Sequence, residues 1–251
     1  MPLLEGWTLL THLATAYPRF RYGHLVLGQS YRNPGLLAKM AQTLQYVTRG
    51  RFVLGIGAGW LEDEYRALGY EYPPAGQRVE QLAEAIQAIR AVWTQTDFVG
   101  EHYRIERAVC DPPAPSIPIM VGTNGPRALG VAARHADWWN WDAPWEPTYR
   151  PPYERLRQHC DDMGRDFSEI VLTAGGFVDM PSDASSFEPS YTHEFYPGQV
   201  FGILGPSPPD VVREIETLVD VGVQHFQLSF ADIASFERFL DEVEPVVRLS
   251  R

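Results

Sequence analysis

The sequence predicts an α/β protein built from parallel strands that are joined by helices. Strand-like and helix-like segments alternate through most of the 251 residues, which favours βα units with right-handed crossovers. The central stretch is residues 51–64, RFVLGIGAGWLEDE. Its apolar run does not alternate with polar residues, as expected for a strand covered on both faces, and it leads through three glycines into an acidic helix start. A site is expected at this strand end, although the glycines would also permit close packing of strand and helix.

The other elements follow from periodicity and from the positions of proline and glycine. The first helix ends at Pro18, and Asn33-Pro34 provides the start of the second. The buried stripe of the second helix is predicted to consist of Leu36, Leu37, Met40, Leu44 and Val47. Strands are predicted at residues 21–28, 52–56, 117–123, 137–143, 169–179 and 223–232. Helices are predicted at residues 3–17, 34–47, 78–93, 124–136, 149–163, 206–222 and 234–250. These six strands are fewer than the eight of a (β/α)8 barrel, a fold that typically takes ~250 residues.

Residues 180–205 are predicted to form a lid or an insertion loop. This segment is polar, contains prolines and aromatic residues, and is too long for an ordinary connection between a strand and a helix. Because long irregular segments at strand ends often carry function, we expect it to take part in binding.

The composition excludes several classes of function. The formal net charge is −11 and no basic run occurs, which argues against nucleic acid or an anionic membrane as a partner. No apolar run reaches the ~20 residues of a membrane span, and the N-terminus lacks a signal pattern. Two cysteines are too few for a disulfide scaffold and fit a reducing cytoplasm, so a cytoplasmic protein is predicted. The seven histidines lack metal-ligand spacing, so no metal site is expected.

Three segments carry a family likeness. Residues 30–74, SYRNPGLLAKMAQTLQYVTRGRFVLGIGAGWLEDEYRALGYEYPP, residues 117–140, IPIMVGTNGPRALGVAARHADWWN, and residues 222–230, GVQHFQLSF, together resemble the bacterial luciferase-like monooxygenase superfamily. The branch they are most similar to consists of oxidoreductases that use the deazaflavin coenzyme F-420. The resemblance implies a single TIM-barrel domain over residues 1–251, with the cofactor at the C-terminal ends of the strands and commonly a homodimer.

The resemblance also assigns cofactor-binding positions. They lie in a bulge after the family's third strand, in the turn after the fourth strand and in the loop after the fifth: Leu25 and Val26; Ala58 and Gly59; Gly122, Thr123, Asn124 and Gly125. The loop makes physical sense as an anion site, because free N–H groups at a helix N-terminus bind phosphate. Alternatively, Thr123 and Asn124 cap the helix.

The expected activity is hydride transfer between F-420 and an unknown small organic substrate. Ala58 stands where FMN-binding members of the family often have an arginine, which favours the deazaflavin over FMN. Two residues are candidates for the substrate pocket. Trp60 would form an apolar wall there or else pack in the core, and Asp142 would orient a ring nitrogen or a substrate hydroxyl. Among the histidines, His24 is the best candidate for touching a cofactor, with packing in the interior as its alternative.

Two other functions remain open, an FMN-dependent monooxygenase that uses oxygen and a catalytically silent truncated barrel that binds a cofactor or a partner chain. Members of the family begin with a strand, a helix and a second strand before the helix that begins this chain. We therefore expect a barrel that is truncated at its N-terminus, either through a start codon assigned too far downstream or in a paralogue that closes its core by dimerisation.

Overall fold

A computed structural model describes residues 4–113, 116–143, 145–192 and 200–247. The chain divides into two compact units, Met1–Trp138 and Trp139–Arg251. Across the described ranges, no helix is both long enough and apolar enough to cross a membrane.

The first unit contains a parallel sheet with helices packed against it. Its strands are β1 (Tyr22–Gly23), β2 (Leu27–Gly28), β3 (Phe52–Gly57), β4 (Phe98–Val99), β5 (Arg104–Ile105) and β6 (Ile119–Gly122). Its helices are α1 (Gly6–Ala16), α2 (Pro34–Val47), α3 (Glu62–Ala67), α4 (Ala75–Thr94) and α5 (Pro126–His135). β1 and β2 pair in parallel with β3, which pairs in parallel with β6, while β4 and β5 form a separate antiparallel pair. All six residues of β3 are buried, as its unbroken apolar run predicted.

The predicted strand at residues 21–28 is split into β1 and β2. A cis peptide bond joins Leu25 to Val26 between the two short strands. The bulge that was expected at these two residues therefore coincides with the interruption of the strand.

Helix α2 confirms its predicted bounds and corrects its predicted buried face. The Asn33 side chain accepts hydrogen bonds from the N–H groups of Gly35 and Leu36, which caps the helix. Leu36 and Val47, both predicted to be buried, are 58% and 44% exposed. The buried face instead consists of Leu37, Ala38, Ala41, Gln42, Leu44 and Gln45. Small alanines allow α2 to pack closely on its neighbours, so the buried face is rotated from the one that the large residues indicated.

The second unit contains the remaining strands and helices. Its strands are β7 (Trp138–Trp141), β8 (Val171–Val178), β9 (Ser190–Thr192), β10 (Val200–Leu204) and β11 (His225–Phe230). Its helices are α6 (Glu146–Met163), α7 (Pro208–Val221) and α8 (Ile233–Arg238), the last continuing as a π-helical segment over Phe239–Val243. β11 runs parallel to β8 over six residue pairs. β8, β10, β11, α7 and the π-helical segment surround one apolar cluster: Val178, Met180, Leu204, Val211, Ile215 and Val243, with Phe226, Leu228 and Phe230 packed against it.

The predicted lid segment contains two strands that sequence analysis did not predict. β9 and β10 pair antiparallel to each other, and β10 also pairs in parallel with Phe177 and Val178 at the end of β8. Residues 193–199 lie outside the described ranges. A role of residues 180–205 as a lid, and the single domain over residues 1–251, stay predictions.

Candidate functional site

The last residues of two parallel strands, β3 and β6, lie against the side chain of Val26, which precedes β2. A Cβ atom added at Gly122, the last residue of β6, would lie 2.9 Å from both Cγ atoms of Val26. A Cβ atom at Gly57, the last residue of β3, would lie 3.0 Å from Val26 Cγ2. Only glycine lets the strand ends approach Val26 this closely, so the Val26 side chain packs directly against the backbone of Gly57 and Gly122.

Gly55 explains why the strand before the bulge can lie so close to β3. A Cβ atom there would overlap the carbonyl oxygen of His24. Because that oxygen belongs to the backbone, the clash could be relieved only by moving the chain. Gly55 is therefore required for close packing of β3 on the neighbouring chain segment, while Gly57 and Gly122 border the side chain of Val26.

The turn after β3 requires glycine for a different reason. Gly59 has a φ of +77°, in the left-handed region, and a Cβ atom there would overlap the buried Tyr65 hydroxyl. The backbone of the turn is held by side chains that follow it in the sequence. Tyr72 donates its hydroxyl to the carbonyl of Trp60 at 2.8 Å, and Arg78 Nε donates to the carbonyl of Gly59 at 3.3 Å.

Sequence analysis missed Tyr72 and Arg78. It identified Arg78 only as the start of a helix, whereas α4 begins at Ala75 and buries Arg78 within its first turns. No spacing in the sequence indicated that these side chains return to the turn at residues 58–60. An arginine in the first turn of a helix, where the dipole disfavours a positive charge, is the one signal that could have drawn attention to it.

The loop after β6 leads into α5, whose N-cap residue is Gly125. Thr123 and Asn124 precede this residue, so neither occupies the N-cap position at which a side chain most often caps a helix. No acidic residue lies in the first turn, and Pro126 occupies the first helical position. Arg127, which follows it, is exposed and forms no ion pair with any described residue. The N-terminus of α5 thus combines its helix dipole with a nearby cation, which favours an anion.

His24 is packed in the interior of the first unit. Its ring stacks on Trp7 at a centroid distance of 5.1 Å and meets the edge of Phe52 at 6.3 Å. Burial lowers the pKa of His24 to about 4, so the ring stays neutral at physiological pH. The packing alternative accounts for this histidine.

Leu25 and Trp60 both expose large apolar side chains near the strand ends. They are 43% and 49% exposed, respectively. The alternative that Trp60 packs in the core is therefore wrong, and its role in a substrate pocket stays a prediction.

Asp142 follows β7 in the second unit and extends over β8. A Cβ atom at Gly175 would overlap Asp142 Oδ1, so the glycine makes room for the carboxyl group. The residue as a whole is exposed, but protein atoms crowd its carboxyl group and raise its pKa by desolvation.

A buried polar pair lies beside Asp142. Thr173 Oγ1 donates to Asn140 Oδ1 at 2.7 Å, and Asn140 Nδ2 lies 3.5 Å from Asp142 Oδ1. Trp139, which directly precedes Asn140 in β7, points to the opposite face, where its ring meets Tyr149 of α6 at 5.1 Å. The face of β7 and β8 that points away from α6 therefore carries a buried hydrogen-bonded pair, Asn140 and Thr173, beside the exposed residue Asp142.

Comparison with known proteins places this geometry in a family. The sequence model described as luciferase-like monooxygenase matches residues 2–225. Pyrimidine monooxygenase RutA of Acinetobacter baylyi is 30% identical over 179 residues, which are 67% of this chain and 48% of that protein. A phthiodiolone/phenolphthiodiolone dimycocerosates ketoreductase of Mycobacterium bovis is 34% identical over 181 residues, covering 68% of this chain and 46% of that protein. The chain thus spans about half the length of the curated relatives it matches.

A solved structure confirms the predicted fold class. The structure of an F420-dependent secondary alcohol dehydrogenase with an F420-acetone adduct has a TM-score of 0.81 to this chain at 18% sequence identity. The match covers 98% of this chain and 84% of that one. Together with the family match, this likeness shows that the chain has the TIM-barrel type of fold found in luciferase-like proteins.

Proposed function

This chain belongs to the luciferase-like monooxygenase family, and from that premise we propose that it transfers hydride between the deazaflavin coenzyme F-420 and a small organic substrate. One observation carries the proposal. The last residues of β3 and β6, Gly57 and Gly122, pack against the side chain of Val26, in the same unit as a helix N-terminus that has a cation and no acidic residue in its first turn. A flat ring with an anionic tail is the class of ligand that this combination suits.

The residues of the first unit fit such a cofactor. The side chain of Val26 fills the space beside Gly57 and Gly122, so Val26 is the apolar group that a ring would contact there. The N–H groups at the start of α5, with Thr123 and Asn124 before them, would hold a phosphate without any lysine. When bound, the deazaflavin supplies the centre that accepts or donates the hydride.

The protein itself would orient the cofactor and the substrate and exclude water from between them. Leu25 and Trp60 are exposed apolar side chains that a bound cofactor or substrate would cover, which would strengthen the polar interactions beside them. In the second unit, Asp142 and Asn140 would bind a hydroxyl or an amino group of the substrate. A homodimer and a cytoplasmic location remain parts of this proposal that rest on the family and on composition.

An FMN-dependent monooxygenase is the second candidate, and two observations favour it. RutA, a monooxygenase by name, is 30% identical to this chain. In addition, Arg78 reaches the carbonyl of Gly59 from α4, so the absence of an arginine at position 58 does not leave this turn without a positive charge. The argument from Ala58 against FMN is weakened accordingly.

The decisive experiment is a titration of the folded chain with F-420 and with FMN, following quenching of tryptophan fluorescence. Each cofactor is matched by its form without phosphate, the bare deazaflavin chromophore and riboflavin. We expect saturable micromolar binding of F-420, weaker binding of FMN, and a loss of about tenfold or more when the phosphate is removed. Tight binding of FMN with oxygen consumption would establish the second candidate. A folded chain that binds neither cofactor would overturn both proposals and leave the catalytically silent barrel.

A further inference from the structure

Two side chains that follow the turn at residues 58–60 in the sequence, Tyr72 before α4 and Arg78 within it, hold the turn by hydrogen bonds. We propose that Tyr72 and Arg78 are positioning residues that keep this turn in its binding conformation for an anionic cofactor. The inference rests on the proposed function, because it takes the turn to be part of the cofactor site.

The hydrogen bonds reach successive carbonyl groups of the turn. Tyr72 donates to Trp60, Arg78 donates to Gly59, and the Tyr65 hydroxyl lies 3.5 Å from the carbonyl oxygen of Ala58. A turn that contains a glycine would otherwise sample many conformations, at an entropic cost of about 1 kcal/mol or more for each residue ordered on binding. Side chains that already hold its carbonyl groups remove part of that cost before any ligand arrives.

Arg78 is the central member of this group. It is 7% exposed, and its Nη1 also donates to the carbonyl of Pro73 at 2.6 Å. Its guanidinium lies 3.9 Å from the centroid of the Tyr72 ring, a cation–π contact that fixes both side chains together. Tyr72 in turn meets the edge of the buried Tyr65 ring at 5.1 Å. The three side chains therefore form one packed unit behind the turn.

The charge of Arg78 indicates the chemistry of the ligand. Among the described residues it forms no ion pair with a carboxylate, and its bonding partners are carbonyl dipoles and an aromatic ring. A buried cation without a counter-ion is unfavourable unless nearby groups compensate its charge. A cofactor that carries negative charge would add this compensation when it binds at the turn, whereas a neutral ligand would not.

The test compares two tyrosines that lose the same kind of hydrogen bond. Tyr72→Phe removes the bond to the carbonyl of Trp60, and Tyr70→Phe removes the bond from Tyr70 to the carbonyl of Tyr31, which lies outside the turn. A purely structural role would lower Tm by similar amounts in both variants and leave affinity for F-420 and FMN unchanged. We expect Tyr72→Phe to weaken binding of the preferred cofactor about fivefold, and Tyr70→Phe to leave it within about twofold of wild type.

Arg78 is tested by Arg78→Lys and Arg78→Gln, with folding checked by circular dichroism. Lysine keeps the charge and one hydrogen bond, so we expect it to retain more affinity than glutamine for F-420 and FMN. Affinity for riboflavin should separate the two variants less, because riboflavin lacks the phosphate charge. Should either arginine variant fail to fold, the two tyrosine variants decide alone.

The outcomes separate this inference from the proposed function. Wild-type protein that binds neither F-420 nor FMN overturns both. Wild-type protein that binds a cofactor, with Tyr72→Phe and Tyr70→Phe binding it equally well, overturns the inference and leaves the proposed function intact.

Discussion

Gly55 and Gly175 occupy similar positions on β3 and β8, and the difference between them separates two ways of building a site. In both cases a Cβ atom would overlap an oxygen. At Gly55 the oxygen is the backbone carbonyl of His24, and at Gly175 it is the carboxylate of Asp142, an exposed residue whose side chain can turn away. Gly55 thus fixes the position of a neighbouring backbone segment, whereas Gly175 makes room for a functional side chain.

This difference bears on what each unit can do. The packing of Val26 against Gly57 and Gly122 depends on the absence of side chains at these two positions. The polar face formed by Asn140, Asp142 and Thr173 changes its hydrogen-bonding pattern with each substitution. We therefore expect changes in the first unit to affect folding and cofactor binding, and changes in the second to alter substrate preference.

The largest effect is expected when each of Gly55 and Gly175 is replaced by alanine and the losses of stability are compared. Gly55→Ala should destabilise the protein by about 3 kcal/mol or more, because the backbone at His24 must move. Gly175→Ala should cost about 1 kcal/mol or less, because only the Asp142 side chain must move. Chemical denaturation measures both. Equal losses would show that the Asp142 carboxylate is as firmly held as a backbone group.

A second prediction concerns the imidazole ring of His24, the residue whose carbonyl oxygen lies against Gly55. Burial lowers the pKa of His24 to about 4 from an ordinary 6.5, so the unfolded chain takes up a proton before the folded one does. Stability should therefore fall as pH decreases from about 6.5 to about 4, by about 3 kcal/mol at most. Denaturation curves across this range should show a smaller fall for His24→Phe, which keeps an aromatic ring against Trp7. The exposed His12 offers the control His12→Gln, which should keep the wild-type fall. A wild-type profile in His24→Phe would contradict the prediction.

A third prediction concerns the positive charge at the N-terminus of α5, which comes from the helix dipole and from Arg127. Arg127→Glu places an acid in the first turn of α5, where the helix dipole favours it by about 0.3–1 kcal/mol. The same change removes a cation beside the proposed phosphate site, so Tm should rise slightly while affinity for F-420 or FMN falls about tenfold. Arg134→Glu, in the last turn of the same helix, changes net charge equally and should leave affinity unchanged. An equal loss of affinity in both variants would indicate a general charge effect.

The smallest expected effect is that of Asp142 in the second unit. Because surrounding protein atoms desolvate the carboxyl group of Asp142 and raise its pKa above the ordinary 3.8, the folded protein holds this proton at pH values where the unfolded chain has lost it. Ionisation of Asp142 should lower stability as pH rises through that window, and Asp142→Asn should remove this loss. When Tm is measured from about pH 3 to about pH 7, the Tm of Asp142→Asn should rise relative to that of wild type as pH increases. The variant Asp220→Asn, at an exposed acid, serves as control. A constant difference between Asp142→Asn and wild type would count against the prediction.

Local signals predicted much of the fold. The run at β3, the proline start at Asn33-Pro34 and the glycine that ends α7 at Gly222 each depend on a few neighbouring residues, and the structure confirms them. Strands β9 and β10 were missed because β10 pairs with Phe177 and Val178, which are distant in sequence. The exposed Leu36 was placed in the core because large size outweighed the contacts available to Ala38 and Ala41.

The features of the candidate site also fall into two groups, those that local sequence signals predicted and those that depend on tertiary contacts. The glycine turn, the helix start after β6 and the family likeness could all be identified in the sequence, because each is a short pattern with its own conformational meaning. Only the tertiary structure decided that Gly55 meets the carbonyl of His24, that Val26 lies between Gly57 and Gly122, and that Arg78 returns to Gly59. Such contacts join separate strands and helices, so they depend on how those elements pack and leave no periodic trace along the chain.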